Sequence, residues 1–495
     1  MLPLNLNTIL LTAFIILLAC TGVYAMRRTK SLEDFFLGGR NVGPWISAFS
    51  YGTSYFSAVI FIGFAGQFGW KFGWPAVSIG VGNAVFGALL AWIVLAKRTR
   101  RMTQNLGAMT MPDFFATRYA APYLRPLAAL IIFIFLVPYS ASVYKGLGYL
   151  FEANFGISYE VALWLITGVA AIYLLLGGYL AMTLTDFIQG IIMLAGSLIL
   201  VFVLVGKSGG FTHVLQNITE ARVAHTNVST FGWWTLASIV LMTSFAPWGL
   251  PQMIQKYYAI KNESVIFKAT IITTIFAGII GCAAYFSGAM THLYPDFLGG
   301  IAANFNFDKL VPIMLKGWLP KYLMALFLLL ILSASLSTLS SLVLVSSSTV
   351  AIDFYKGCVN KDVSEGSAVT LMRIMSALFL ITSCLIAHIE SKFISDLMSL
   401  SWGAVGGAFL APYLYGLYSK KVTKASALTG IIVGLGVQLV LIMLPKYFPV
   451  IPNLPSPMCS VISIIVPFGV MPIVSAFTEK VPQEVVEKAF QPPQE

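Results

Sequence analysis

Charge is scarce in this chain. Only 10% of its 495 residues are Asp, Glu, Lys or Arg, against about 25% in a typical soluble domain. So few charges cannot clothe a soluble protein of this length, and that class is excluded. Cysteine is equally sparse: Cys20, Cys282, Cys358, Cys384 and Cys459 are scattered, without metal-ligand spacing or a pairing framework. The four histidines, His213, His225, His292 and His388, are as dispersed, so a metal-dependent enzyme has no support. Long polar segments are missing too. The longest stretches outside apolar blocks run from about 98 to 126, 206 to 230 and 292 to 320, too short for a separate catalytic domain. A secretory leader is not suggested either. The first block, Ile9 to Tyr24, has no basic residue before it and Arg27-Arg28 just after it, the reverse of a leader's charge order. It reads as a retained helix with its N-terminus outside.

What is abundant is apolar length. Hydrophobic residues make up 58% of the chain and mean hydropathy is +0.85. They fall in about thirteen blocks of about 20 residues, the length that crosses a bilayer as a helix. Their approximate cores are 5–25, 44–69, 75–96, 127–151, 159–177, 183–205, 231–250, 270–291, 321–348, 367–389, 397–417, 428–444 and 458–477. The net charge of +11 sits in short connections: Arg27, Arg28 and Lys30; Lys97, Arg98, Arg100 and Arg101; Lys420, Lys421 and Lys424. With the N-terminus outside, all three clusters fall inside, as the positive-inside rule requires. None is interleaved with aromatics, so nucleic acid is not a partner. The tail after Phe477, with Pro492 and Pro493, is expected to be cytoplasmic. These features place the chain in the cell (inner or plasma) membrane as a multi-pass protein, its partner surface the lipid bilayer, with no protein partner required.

Two blocks carry internal breaks. The second reads Ser50-Tyr51-Gly52-Thr53-Ser54-Tyr55-Phe56-Ser57, a run that weakens a helix by propensity and by side-chain competition for the backbone. The seventh ends in Pro247-Trp248-Gly249-Leu250-Pro251. Pro and Gly also kink ordinary membrane helices. Unwound backbone in a bilayer, however, is tolerated only around a cavity or buried site. Two broken helices five spans apart are the mark of an inverted-repeat transporter.

The ninth block is rich in hydroxyls: Ser333, Ser335, Ser337, Thr338, Ser340, Ser341, Ser346, Ser347 and Ser348. Some bond the carbonyl a turn back. On a helix, 337, 340 and 341 share one face with 338 at its flank. Neutral oxygens so grouped suit a small hard cation, and sodium is the monovalent candidate. Asp186, at the start of the sixth block, is an intramembrane carboxylate and therefore a functional candidate, as well as a first-turn acid. Lys145 in the fourth block is either a snorkelling residue or a partner for an anionic solute or a gate.

At these residues the chain resembles the sodium/solute symporter family, nearest its bacterial sodium/proline and sodium/pantothenate branch. The matching stretches are Asp34-Phe35-Phe36-Leu37-Gly38-Gly39-Arg40, Met111-Pro112-Asp113-Phe114-Phe115, Gly177-Gly178-Tyr179-Leu180-Ala181, Thr185-Asp186, Leu336-Ser337-Thr338-Leu339-Ser340 and Asp353-Phe354-Tyr355-Lys356. The resemblance implies an all-α membrane protein with a LeuT-type core of two inverted five-helix repeats. It would divide the chain into an extra helix and loop (1–43), the transport core (44–417), and two further helices with a tail (418–495). It implies a sodium site from the carbonyls of Thr53, Phe56 and Ala334 with the hydroxyls of Ser337 and Thr338. A second sodium site would use Asp186, Ser337, Ser340 and Ser341. Ser57 and Tyr139 are kept from sodium/proline symporters, but Tyr55 stands in place of an Asp and Thr243 in place of a Trp. These departures bear on the solute rather than on the sodium chemistry. Near the two breaks, Ser57, Phe56, Tyr139, Trp248 and Pro251 are the expected solute contacts, with Lys145 as a further candidate.

The function so implied is sodium-coupled symport of a small organic solute by alternating access, the solute an amino acid such as proline or a small carboxylate such as pantothenate. Sodium is the only metal called for, and no catalytic residue is. Proton coupling and a transporter-like sensor are the alternatives within this fold. A channel would need a filter loop, and a membrane enzyme a nucleophile–base pair within the spans; neither is evident.

Overall fold

In hydrocarbon every backbone N–H and C=O needs an internal partner, so apolar blocks of this length must coil. The computed structural model describes residues 6–28, 32–302, 304–389, 393–448 and 453–492; Lys30 and Pro493, noted above, lie outside them. Among the described residues there is no strand beyond two isolated bridges. The helices are α1 (Leu6–Arg28), α2 (Pro44–Tyr55), α3 (Val59–Phe72), α4 (Trp74–Leu106), α5 (Met111–Arg118), α6 (Leu124–Phe155), α7 (Tyr159–Ile172), α8 (Gly178–Lys207), α9 (Phe211–His225), α10 (Thr230–Phe245), α11 (Pro251–Tyr258), α12 (Ser264–Leu293), α13 (Leu310–Trp318), α14 (Lys321–Val359), α15 (Glu365–Ile389), α16 (Ile394–Tyr418), α17 (Lys424–Tyr447), α18 (Ser456–Phe477) and α19 (Gln483–Ala489).

Among the described residues nine helices are long and apolar enough to span, and ten if the bent pair α2–α3 counts as one. The remaining expected spans are shorter. The first and fifth correspond to apolar helices over Ile9–Ala25 and Tyr159–Ile172, and the seventh is divided between α10 and α11. No loop separates the fifth and sixth expected spans. The backbone leaves helical geometry between them at Gly178, whose φ of 58° and ψ of −155° suit glycine alone. A β-carbon there would lie 2.7 Å from the carbonyl oxygen of Phe35.

Both anticipated breaks are present. The α2 helix stops at Tyr55, Phe56 turns extended at φ −112° and ψ 128°, and α3 leaves at 48°. After α10, Ala246–Gly249 tighten into a 3₁₀ turn and Leu250 is extended. Pro251 then opens α11 at a position where its missing N–H costs nothing.

At the centre stands α14, buried along nearly its whole length. It packs on α8, α6 and α15. Glycines allow the closest crossings: a β-carbon on Gly288 of α12 would come within 1.9 Å of the Ala65 carbonyl oxygen on α3.

The end carrying the basic clusters is tied across the fold. Val42, just before α2, forms a parallel bridge with Ile260, just after α11: Val42 N–H donates to Ala259 (3.1 Å) and Lys261 N–H to Val42 (3.1 Å). Arg100 donates to the carbonyls of Ile260 and Lys261. Arg101 and Lys97 pair with Glu263, and the Arg101 hydrogen bond holds that carboxyl below its usual range. Arg125 bridges Asp113 and Asp353. The basic residues thus act as cross-ties between helix ends.

Candidate ion and solute site

Ending α2 within the bundle removes the next helical turn that would have taken up its last carbonyls. Those carbonyls face α14. Ser337 donates to the carbonyl of Thr53 (2.9 Å) and to that of Ala334 (2.9 Å). The Thr338 hydroxyl lies 3.1 Å from the Ala334 carbonyl, 3.4 Å from those of Thr53 and Ser54, and 3.5 Å from that of Phe56. Thr338 and Ser337 are both fully buried. One hydroxyl has one proton, yet four carbonyl oxygens surround this one at distances longer than strong O–H···O bonds. The structure therefore brings Thr53, Phe56, Ala334, Ser337 and Thr338 together at one buried place. Ser335 on the same helix accepts the N–H of Ala58 (3.0 Å), satisfying the first amide beyond the break.

One turn further along α14 lies a second polar group. Ser341 meets the Ser54 hydroxyl at 2.8 Å. Asp186 of α8 accepts from Ser50 at 2.5 Å. Between them sits a residue that did not stand out in the sequence. The Lys256 ammonium on α11 donates to Ser341 (3.1 Å) and pairs with Asp186 (3.7 Å), both side chains fully buried. The Tyr179 ring lies 5.5 Å from the same nitrogen. Of the four residues expected at a second site, Asp186 and Ser341 are linked through Lys256, while Ser340 turns back to the Ser337 carbonyl (2.8 Å).

The expected solute contacts separate. Phe56 and Ser57 are buried in the first break, with Ser57 accepting the N–H of Val59 at 3.2 Å. Tyr55 stacks on Phe56, ring centroids 4.7 Å apart, and lies 6.4 Å from Trp402 of α16. Tyr139 meets the same Trp402 edge-on at 5.6 Å. Tyr55, Phe56, Tyr139 and Trp402 thus form one aromatic cluster beside the first break, and Trp402 was not singled out in the sequence. The two positions that depart from sodium/proline symporters are joined: Tyr55 donates to the Thr243 carbonyl (2.6 Å), and Thr243 donates to Asn83 (2.8 Å).

Trp248 turns elsewhere. Its indole N–H donates to the Phe86 carbonyl (3.1 Å) and its ring packs on Phe245 in an apolar groove with Leu410 and Phe468. Pro251 lines a crevice with Phe36, Thr110 and Ser348. Lys145 is buried, roughly 9 Å along α6 from Tyr139 by helical rise. Burial pushes the Asp308 carboxyl up, against the pull of the Ile394 N–H and the Lys145 ammonium.

Comparison with known proteins fits this geometry. The family model described as "Sodium:solute symporter family" matches residues 35–434. The high-affinity proline transporter PutP of Bacillus subtilis (strain 168) is 30% identical over 431 residues, covering 83% of this chain and 87% of that protein. The sodium/proline symporter of Escherichia coli (strain K12) is 30% identical over 430 residues, 83% of each chain. A solved Na+-coupled sialic acid symporter, in a substrate-bound outward-open state, superposes with a TM-score of 0.81 at 19% identity, over 97% of this chain and 99% of that one. Mhp1, a nucleobase-cation-symport-1 family transporter solved in a closed conformation, gives 0.52 at 13% identity over 92% and 97%. The fold is that of LeuT-type transporters.

Proposed function

The chain belongs to the sodium:solute symporter family, and from that premise we propose that it imports a small carboxylate-bearing organic solute together with sodium. Sodium is held by the carbonyls of Thr53, Phe56 and Ala334 and by the hydroxyls of Ser337 and Thr338. The observation that carries this reading is the surplus of acceptors around Thr338. Four carbonyl dipoles aimed at one point repel one another in a dry site unless a cation gathers them.

The solute lies in the aromatic box of Phe56, Tyr139 and Trp402, beside Ser57. Its apolar body packs on the rings. The N-terminus of α3, facing the break, favours a negatively charged end. Tyr55, where sodium/proline symporters carry an acid, leaves the box without a carboxylate to hold an ammonium. This favours a carboxylate solute of the pantothenate kind over the proline named for the relatives. The protein lies in the cell membrane with the basic-cluster end inside, and its working unit is the core at 44–417.

Binding of both cargoes to one conformer lets the inward sodium concentration gradient drive solute uphill. Uptake of a solute panel into proteoliposomes tests this. Accumulation should require an inward sodium gradient. Equal uptake in choline medium under an acid-outside gradient refutes it in favour of proton coupling.

A further inference from the structure

A lysine fully buried in a membrane bundle needs a reason, since an ammonium away from water is costly unless paired. Among the described residues Lys256 has one pairing partner of opposite charge, Asp186 at 3.7 Å. Its other neighbours are the Ser341 hydroxyl at 3.1 Å, the Met182 sulfur at 3.7 Å and the Tyr179 ring face at 5.5 Å. A carboxylate, a hydroxyl and an aromatic face form an environment for a monovalent cation. Asp186 and Ser341 also belong to the set that the sequence offered as a second sodium site.

Sodium and ammonium carry the same charge and seek the same oxygens. With the Lys256 nitrogen between Asp186 and Ser341, a sodium ion entering there would meet a like charge within a few ångströms, where no water screens it. We propose that Lys256 is a tethered substitute for a second sodium ion: it satisfies Asp186 and Ser341 permanently, and the chain couples transport to a single sodium at the Thr338 site. This inference rests on the sodium-coupled reading above and assigns its stoichiometry. Lys256 sits on α11, the half-helix that follows the second break. The substitute charge therefore moves with the protein and is never released with the cargo. The link to the main site is short. Ser341 bonds Ser54 at 2.8 Å, and the Ser54 carbonyl is one of the four around Thr338.

The test counts sodium without needing the solute. Purified full-length chain in lipid nanodiscs is titrated with radiosodium, and its melting temperature is read in sodium against choline. Wild type should bind one ion per chain. Lys256→Met uncovers Asp186 and should bind two, with a larger sodium-dependent rise in melting temperature than wild type. Lys256→Met combined with Asp186→Asn should return to one ion and to the wild-type rise. Lys256→Gln repeats the measurement should the methionine variant not fold. Two ions in wild type overturn the proposal, as does one ion in both lysine variants with an unchanged sodium-dependent rise. No ion in wild type but one in Lys256→Met refutes the main-site reading while upholding the lysine assignment.

Discussion

Replacing Thr338 by alanine removes the oxygen that four backbone carbonyls surround within 3.5 Å. Alanine is a good helix former, so α14 itself should be undisturbed. At the proposed sodium site the ion would give up one of its five ligands in buried surroundings. An unmet polar partner in such surroundings costs about 1–3 kcal/mol, or about one to two decades in sodium dissociation constant. Thr338→Val is the steric control: it keeps the branched shape, lacks the hydroxyl and should match alanine. Thr338→Ser keeps the oxygen and should stay within a few-fold of wild type. Ser337→Ala should be at least as damaging, because Ser337 contacts the Thr53 and Ala334 carbonyls together at 2.9 Å. Radiosodium binding in nanodiscs gives the dissociation constants directly. By reciprocity, solute affinity at subsaturating sodium should fall as well and recover at saturating sodium. Unchanged sodium affinity in Thr338→Ala, Thr338→Val and Ser337→Ala would refute the site.

Trp402→Phe should weaken solute affinity while leaving sodium binding in the absence of solute unchanged, whereas Trp248→Phe should alter neither; competition uptake separates the two. Gly288→Ala drives a methyl to 1.9 Å from the Ala65 carbonyl oxygen and should cost about 1–3 kcal/mol or more, read as lower melting temperature and monodisperse yield. Asp308, on the connection before α13, accepts the N–H of Ile394 at 3.1 Å, and burial pushes its carboxyl up to about 6 against the pull of Ile394 and Lys145. A folded value above the unfolded one of about 3.9 means the native chain holds the proton more tightly. That contribution is complete below about pH 4 and is lost as pH rises through about 6, worth about 3 kcal/mol. Asp308→Asn should flatten the melting profile between those pH values; an unchanged slope refutes the assignment.

Both breaks were legible because Gly, Ser, Thr and Pro act on the backbone locally, and the bilayer makes each unwound turn expensive. The face carrying Ser337, Ser340 and Ser341, with Thr338 at its flank, was equally legible, since helical spacing alone sets it. Lys256 was not. It follows Pro251 in a short polar stretch, Gln252 to Tyr258, that reads as a solvated connection after the seventh span. Only the fold turns α11 inward and sets that ammonium against Asp186, 70 residues earlier in the chain. Trp402 was hidden for the opposite reason: in an apolar span an aromatic residue resembles any other core side chain. Trp248 was misleading, because nearness to a break in sequence does not fix the direction of a ring.

The bridge between Val42 and Ile260 joins the approaches to the two broken helices with two main-chain hydrogen bonds. Side-chain substitutions leave such a clasp untouched, so alanine scanning of both strands would pass over it. Homologous chains are free to vary the residues there without loosening the join. Whatever tilting carries one broken helix during a transport cycle must carry the other, like two oars on one lock. Proline alone unfastens it: Lys261→Pro deletes one of the two donors and should let the halves swing out of step, seen as sodium leak without solute.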